Sequence, residues 1–293
     1  MQIRAFQAFV EIMRQNGFSA AAKTLHATQS TISKSLAQLE SYYGARLIHR
    51  GKGALQLTSE GEYVYCHALH ILAEQEAIKR DLDELKGLKK GVLKIGLPPI
   101  GSSELFAPVL ARYTKAYPKI EIQIVEHGSK KLEELVKLGE IELAASLFPV
   151  AEGFGYQDVR NEPVVALMPN TLAKGRKALS AVEIAHYPFV LFESQFALTP
   201  IVLEAFQKKE LKTDVSARTS QIDFLFGLIA AGMGIGFLPR MIAQKRVSDD
   251  VCMVEISDIN IAWHMALIWR DQKQLSHAAT QWLKLSETFR DHS

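Results

Sequence analysis

The sequence predicts a chain in three parts: an all-helical head with a small hairpin, one long connecting helix, and an α/β body of two lobes. Three observations carry this reading. Apolar residues recur at helical spacing up to about residue 90. Residues 1–58 hold seven Lys/Arg against two Asp/Glu, a net charge of +5, while the remaining 235 residues carry −3. After Gly91, short β-rich runs alternate with helical stretches. With 293 residues, 48% hydrophobic and 23% charged, the chain is long enough for two or three domains with cores of their own, which excludes a disordered or fibrous protein.

In the head, Ile3, Phe6, Phe9, Val10 and Met13 make one apolar helical face, and Asn16-Gly17 stops that helix. Ser19 is the expected N-cap of a short Ala-rich helix containing Ala20, Ala21, Ala22 and Leu25. Thr28 is placed to cap a third helix that buries Ile32, Leu36 and Leu39 and ends at Gly44. That leaves Gln29, Ser30, Thr31, Ser33 and Lys34 free at its N-terminal end. In RLIHRGKGALQLT (46–58), Leu47, Leu55 and Leu57 alternate with polar residues about a Gly51-Lys52-Gly53 tip, so a basic hairpin with Arg50 and Lys52 is expected. Three short helices and a hairpin of this kind compose a winged helix-turn-helix. Hydroxyl, amide and ammonium groups on the third helix suit base edges in the major groove, and the hairpin's cations suit phosphates. The bland alternative is a solvated three-helix domain; the local positive charge favours nucleic acid.

Ser59 and Glu62 have capping-box spacing for the connecting helix. Val64, Ala68, Ile71, Gln75, Ile78, Leu82 and Leu85 then follow a 4,3 alternation, which predicts a dimerising seam through Ile71, Ile78, Leu82 and Leu85, with Gln75 setting its register. About thirty helical residues span about 45 Å, too long for a small head to cover. In the body, 92–97, 120–125, 142–148, 164–168, 189–192, 234–239 and 262–269 are strand candidates, and 103–117, 130–138, 198–209 and 222–231 are helical. The alternation implies parallel βαβ construction. The uncharged run Phe224–Pro239 reads as a buried helix, a glycine turn and a strand, too short and too glycine-broken to span a bilayer.

The string FSAAAKTLHATQSTISKSLAQLESYYGARLIHRGKGALQLTSEG resembles the DNA-binding head of LysR-type transcriptional regulators. The matching places are Ala21-Ala22, Gln29 through Ser33, Leu39-Glu40, Gly44, Leu47 to Arg50, and Leu57-Thr58 to Gly61. Ser30 stands where the family usually has proline and Ile48 where it usually has phenylalanine, both tolerable because serine fits a first helical turn and isoleucine keeps an apolar anchor. Leu97-Pro98, Glu126 to Leu135 and Ala231-Gly232-Met233-Gly234-Ile235-Gly236-Phe237-Leu238-Pro239 extend the likeness along the chain; Glu142 replaces a common aspartate. The resemblance implies a winged helix-turn-helix at 1–58, a dimerising linker helix at 59–90, and a periplasmic-binding-protein-like effector domain at 91–293, with lobe I at about 91–161 and 267–293 and lobe II at about 162–266. It also implies double-stranded operator DNA and a small-molecule effector as partners, a homodimer or, as the family favours, a homotetramer built as a dimer of dimers, and no cofactor.

Ligands of such sheets gather beyond the carboxyl ends of parallel strands, at helix N-termini. That places Ser102, Ser103 and Ser129 in the candidate effector site, although N-capping is the commoner use of such serines. The resemblance adds the 193–196 segment and Thr219-Ser220-Gln221, hence Glu193, Phe196 as an apolar wall, and Gln221. Glu193 would repel the organic acids that many family members sense and would favour an amine or a hydroxylated neutral compound, unless it faces solvent.

An enzyme is the second class weighed. The sequence has no G-x-S-x-G elbow, no H-E-x-x-H, no Walker or Rossmann glycine pattern and no carboxylate or histidine cluster; GMGIG at 232–236 follows a helix and precedes a strand, the reverse of a dinucleotide loop. A transport binding protein would need an export signal, and MQIRAFQAFVEIMRQNG lacks an unbroken apolar core, so a cytoplasmic protein is expected. Cys66 and Cys252 are far apart and without metal spacing, which argues against a disulfide or a metal site. His26 and His49 are within reach of phosphate but read as idle surface residues, and Trp263, Trp269 and Trp282 as core or interface.

Overall fold

The computed structural model describes residues 3–49, 54–85, 91–270 and 275–287; for 79–81 and 83–85 it describes the backbone alone. By internal contacts the chain forms two units, a head of residues 1–88 with the short segment Lys137–Glu140, and a body made of the rest.

The head holds α1 (Ile3–Arg14), α2 (Phe18–Thr24), α3 (Gln29–Tyr43), a hairpin of β1 (Ile48–His49) and β2 (Gln56–Leu57), and α4 (Ser59–Leu85). Phe6, Phe9, Val10 and Ile12 of α1 pack with Ala21 and Ala22 of α2 and with Ile32, Leu36 and Leu39 of α3 in one core. The alanines of α2 let its backbone approach that core, as their small size predicts. Two caps differ from expectation. Gly17, not Ser19, precedes α2, and Ser19 lies inside the helix with its hydroxyl donating to Gln29 Oε1 at 3.1 Å. Thr58 replaces the Ser59–Glu62 box at α4: its Oγ1 accepts from Gly61 N at 2.9 Å and donates to the Arg46 carbonyl at 2.6 Å. Gly61 is required there, since a Cβ would lie 1.9 Å from the Leu47 carbonyl oxygen.

The α4 seam divides in two. Val64 and Ala68 are buried in the head's own core, with Tyr65 edge-on to Phe9 at 5.8 Å, whereas Ile71, Gln75, Ile78 and Leu82 are exposed. Only the later part of the heptad pattern is therefore open to a partner helix. The Leu85 side chain lies outside the described residues.

The body begins with β3 (Gly91–Leu97), α5 (Ser102–Leu105), α6 (Ala107–Ala116), β4 (Ile120–Glu126), α7 (Ser129–Lys137) and β5 (Leu143–Leu147). The expected 103–117 helix is thus two helices. β6 (Gly155–Pro169) follows, then α8 (Asn170–Ala173), β7 (Ala178–Leu179), α9 (Ala181–Ala185), β8 (Phe189–Phe192) and α10 (Leu198–Gln207). The chain ends with β9 (Val215–Thr219), α11 (Ile222–Ala230), β10 (Gly236–Pro239), α12 (Arg240–Ala243), β11 (Val251–Ile256), β12 (Ala262–Trp269) and α13 (His277–Glu287).

The purely parallel expectation is corrected to a mixed sheet, ordered β4-β3-β5-β12-β6-β11-β7 with β10 also on β6. β4, β3 and β5 are parallel, as are β8 and β9, but β12 runs antiparallel to both β5 and β6, and β10 and β11 run antiparallel to β6. The fifteen-residue β6 causes this. Residues 155–163 pair with β12, and 164–169 pair with β10 and β11, so one strand serves both lobes. β12 pairs with β6 from Ala262 and with β5 from Met265.

On one face of lobe I, Tyr113 of α6 meets Trp282 of α13 edge-on at 5.5 Å and donates to the Ala278 carbonyl at 2.9 Å. On the other, Leu132 and Val136 of α7 cover Ala144 and Ile268. In lobe II, Phe189, Phe206 and Phe237 form a triangle of edge-on contacts 4.8–5.7 Å apart. α11 is only half buried: Leu225 and Ile229 face the core while Phe224 is exposed. All three tryptophans are core residues.

Candidate nucleic-acid interface and ligand cleft

At the start of α3, Thr28 adopts an extended backbone conformation and its Oγ1 accepts from Thr31 N at 3.2 Å. That bond satisfies one free amide of the helix's first turn and fixes where the helix begins. With Ile32, Leu36 and Leu39 buried, Gln29, Ser30, Thr31, Ser33 and Lys34 are all exposed. The hydroxyls of Ser30 and Thr31 sit 2.9 and 2.8 Å from Thr28 Oγ1, and Gln29 is tied to Ser19. Ser33 and Lys34 stand clear of that network. Exposed Gln38, one turn beyond Lys34, extends the same surface and was absent from the expected set.

Three polar contacts brace the hairpin against the helices. Glu40 Oε1 accepts from Leu47 N at 3.0 Å, Asn16 Oδ1 accepts from Leu55 N at 2.8 Å, and Thr58 holds Arg46. The polar partners of Leu47 and Leu55 lie on α3 and in the turn after α1, at positions that a sequence pattern marks only as a Leu-Glu pair and a turn. Arg50 and Lys52 lie outside the described residues. His26 and His49 are exposed.

In the body, strand ends bring the expected ligand residues to helix starts. Ser102 opens α5 and donates to the Pro98 carbonyl, while exposed Ser103 donates to Glu104 Oε2 at 2.6 Å. Glu104 is missing from the sequence reading. Its side chain is 6% exposed, and it pairs at 3.0 Å with Arg246 of lobe II. Burial acts to raise its pKa, but the bonds from Ser103 and Arg246 prevail and hold the carboxyl below the usual glutamate range.

Ser129 opens α7 and is 4% exposed. Gly128 beside it lies directly against lobe II, where a Cβ would sit 2.2 Å from the Gln195 carbonyl oxygen. Glu193 is exposed and its carboxylate accepts from Gln195 Nε2 at 2.9 Å. Phe196 is 5% exposed and packs at 5.6 Å on Phe192, within the lobe II core. Gln221 is exposed at the N-cap of α11 without a capping bond from its side chain. Thr199 and Arg218 fix the end of β8, both donating to the Phe192 carbonyl, at 2.9 and 3.3 Å. The two lobes thus converge at Gly128 and Gln195, with Ser129 on one side and Glu193 on the other.

Cys66 and Cys252 are free thiols, and burial pushes the Cys252 pKa up, which disfavours a reactive thiolate. Among the described residues there is no metal-binding group of His, Cys, Asp and Glu, and no helix long and apolar enough to cross a membrane.

Comparison with known proteins agrees with both halves. The family model for the LysR substrate binding domain matches residues 86–289, and that for the bacterial regulatory helix-turn-helix protein, lysR family, matches residues 3–62. The chain is 30% identical over 291 residues to the uncharacterized HTH-type transcriptional regulator YwbI of Bacillus subtilis, covering 99% of this chain and 97% of that one. It is 30% identical over 290 residues to the HTH-type transcriptional regulator CfxR of Cupriavidus necator, covering 95% and 89%. Among solved structures, full-length OxyR from Pseudomonas aeruginosa superposes with a TM-score of 0.75 at 20% identity, covering 99% of this chain and 95% of that one. CbnR, a LysR family transcriptional regulator, gives 0.71 at 18% identity, covering 99% and 100%; a structure of CbnR with its target DNA gives 0.69 at 18% identity, covering 99% and 100%. Head, linker helix and two-lobed body together place the chain in the LysR family, as a transcriptional regulator with a helix-turn-helix DNA-binding domain and a substrate-binding domain.

Proposed function

We propose that this regulator binds an operator of two related half-sites as a dimer or a dimer of dimers, and that a small molecule held between the lobes alters its DNA occupancy or geometry. Residues 1–58 read the DNA, 59–90 assemble the oligomer, and 91–293 sense the ligand. The observation that carries the reading is the capped start of α3, with Gln29, Ser30, Thr31, Ser33 and Lys34 exposed above a buried Ile32–Leu36–Leu39 face. Side chains of this kind at a helix N-terminus serve base edges, and the free amides there serve phosphates. Arg50 and Lys52 add backbone contacts from the hairpin. The solved complex of CbnR with its target DNA supports the same use of the fold.

Exposed Ile71, Ile78 and Leu82 on α4 supply the assembly seam, which Leu85 continues. Ser102, Ser103, Ser129, Glu193 and Gln221 border the ligand, with Phe196 stiffening the loop from beneath. The ligand's leverage on DNA is bounded by its difference in affinity for the two interlobe arrangements. The protein works in the cytoplasm and carries out no catalysis. Selection of bound sequences from a random duplex library tests the reading: a motif with two related half-sites is expected, and the absence of any enriched motif would overturn it.

A further inference from the structure

We infer that Ser19 is a positioning residue for DNA reading. By holding the oxygen of the Gln29 side chain it leaves that amide only its N–H groups to offer, so Gln29 reads the keto oxygen of a base pair, on guanine or thymine, and not the pair's exocyclic amine. This rests on α3 being the helix that reads DNA and adds the base chemistry that one of its side chains accepts.

Ser19 lies in the first turn of α2 and Gln29 opens α3; both are exposed. The Ser19 hydroxyl donates to Gln29 Oε1 at 3.1 Å. It caps nothing, since α2 follows Gly17 without a side-chain cap. The two helix starts are held in place, because Ala21 and Ala22 of α2 share one buried core with Ile32 and Leu36 of α3. The neighbouring hydroxyls of Ser30 and Thr31 are turned to Thr28 Oγ1, at 2.9 and 2.8 Å. Gln29 Nε2 has no hydrogen-bond partner among the described residues.

Glutamine reads adenine with both ends of its amide, the oxygen accepting from the exocyclic amine while the nitrogen donates to the ring. An amide whose oxygen is turned to Ser19 presents its nitrogen alone. Facing the amine of adenine or cytosine, that nitrogen meets another donor. Every base pair also shows one keto oxygen in the major groove, on guanine or on thymine, and this is the partner that an N–H group needs. The bond from Ser19 is modest in open water and gains weight in a DNA interface, where competing water is displaced.

Selection of bound duplexes by the full-length parent and by Gln29→Ala marks the base pair that Gln29 reads, as the column whose preference the variant flattens. At that pair one duplex replaces the keto oxygen with sulfur, a poor acceptor, using thioguanine or thiothymine. A second lacks the amine, using purine for adenine or pyrimidinone for cytosine. Gln29→Ala on the same duplexes gives the cost of the change to the DNA itself. Beyond that cost, the sulfur duplex should bind the parent about tenfold more weakly and the amine-free duplex should bind it equally well. Ser19→Ala frees the amide to turn, so its penalty for sulfur should fall and a penalty for the missing amine should appear. Ser19→Thr, which keeps the hydroxyl, should behave as the parent does. Alanine is the better helix former at this exposed position, so Ser19→Ala folds. A parent sensitive to the amine and not to the keto oxygen overturns the inference, as does a Ser19→Ala pattern identical to the parent's or weakened evenly on every duplex. In those cases α3 stands as the reading helix, because Gln29→Ala has altered one column. A Gln29→Ala motif identical to the parent's overturns the inference together with the place of Gln29 among the reading residues.

Discussion

Gly128 and Gln195 meet so closely that a single added methyl carbon on the glycine would lie 2.2 Å from the glutamine's carbonyl oxygen. The obstacle is backbone, which cannot swing aside as a side-chain end can. Gly128→Ala is therefore expected to force the lobes apart at this point and cost about 1–3 kcal/mol of stability. A urea midpoint equal to the parent's would show that the two segments separate freely in solution.

Sequence reading is predicted to follow individual side chains of α3. Ser33→Ala should relax discrimination at single base pairs by about 1–3 kcal/mol. Gln29→Ala should do the same and also loosen α2 from α3, because Gln29 holds Ser19. Lys52→Ala should weaken all sequences alike and flatten the salt dependence. Competition binding with a panel of operator variants separates these effects, and unchanged specificity in both α3 variants would refute the assignment.

Assembly should depend on α4 beyond the head's core. Ile78 and Leu82 are 56% and 50% exposed, so Ile78→Glu and Leu82→Glu should leave each protomer folded. Buried at a helix–helix seam, either carboxylate would lack a partner and cost several kcal/mol. Light scattering should show smaller species, with binding to a two-half-site operator weakened most. An unaltered oligomer in both variants would remove the seam from this helix.

The Glu104–Arg246 pair predicts an acid response. The folded-state pKa of Glu104 lies below its ordinary value of 4.5. Its contribution is thus fully present above that value and is lost as the pH falls through the lower folded pKa. Glu104→Gln should flatten this part of the stability–pH curve. Arg246→Ala should cost about 1–3 kcal/mol near neutrality by leaving a mostly buried carboxylate short of a partner. Chemical denaturation from neutral pH down to below 4.5 measures both, and curves parallel to the parent's would count against the pair's role.

The head was readable because its determinants are local. Thr28 is one residue from the helix that it caps, and Ile32, Leu36 and Leu39 declare their face by spacing alone. Ser19 misled because its hydroxyl found a better acceptor in Gln29, ten residues away. β9, with the sequence VSART, buries only its last residue and so offers no apolar alternation to find. The antiparallel centre of the sheet was hidden because the first half of β6, GYQDVRNEP, reads as polar connection until β12 pairs with it from about a hundred residues away. The seam pattern runs from Val64 to Leu82 with Gln75 its one polar place, yet its first part is buried in the head and its later part is exposed; spacing records that a face is apolar, not what covers it. The serines that open α5 and α7 are placed by strand-end geometry, whereas Glu104 and Gln195 matter through contacts made across the lobes.

The sharing of β6 between lobes also fixes an order of events on the ribosome. Lobe II is built almost entirely from one continuous stretch of chain, but lobe I waits for β12 and α13 to fill its sheet and cover its face. Until Ala262–Trp269 emerges, β5 presents a bare edge next to buried-type residues Leu143, Ala145 and Leu147. An unpaired apolar edge is a site for pairing with other chains. Premature termination between β11 and β12 thus yields a nascent protein with a finished second lobe and an adhesive, half-made first one, a natural target for chaperones and proteases.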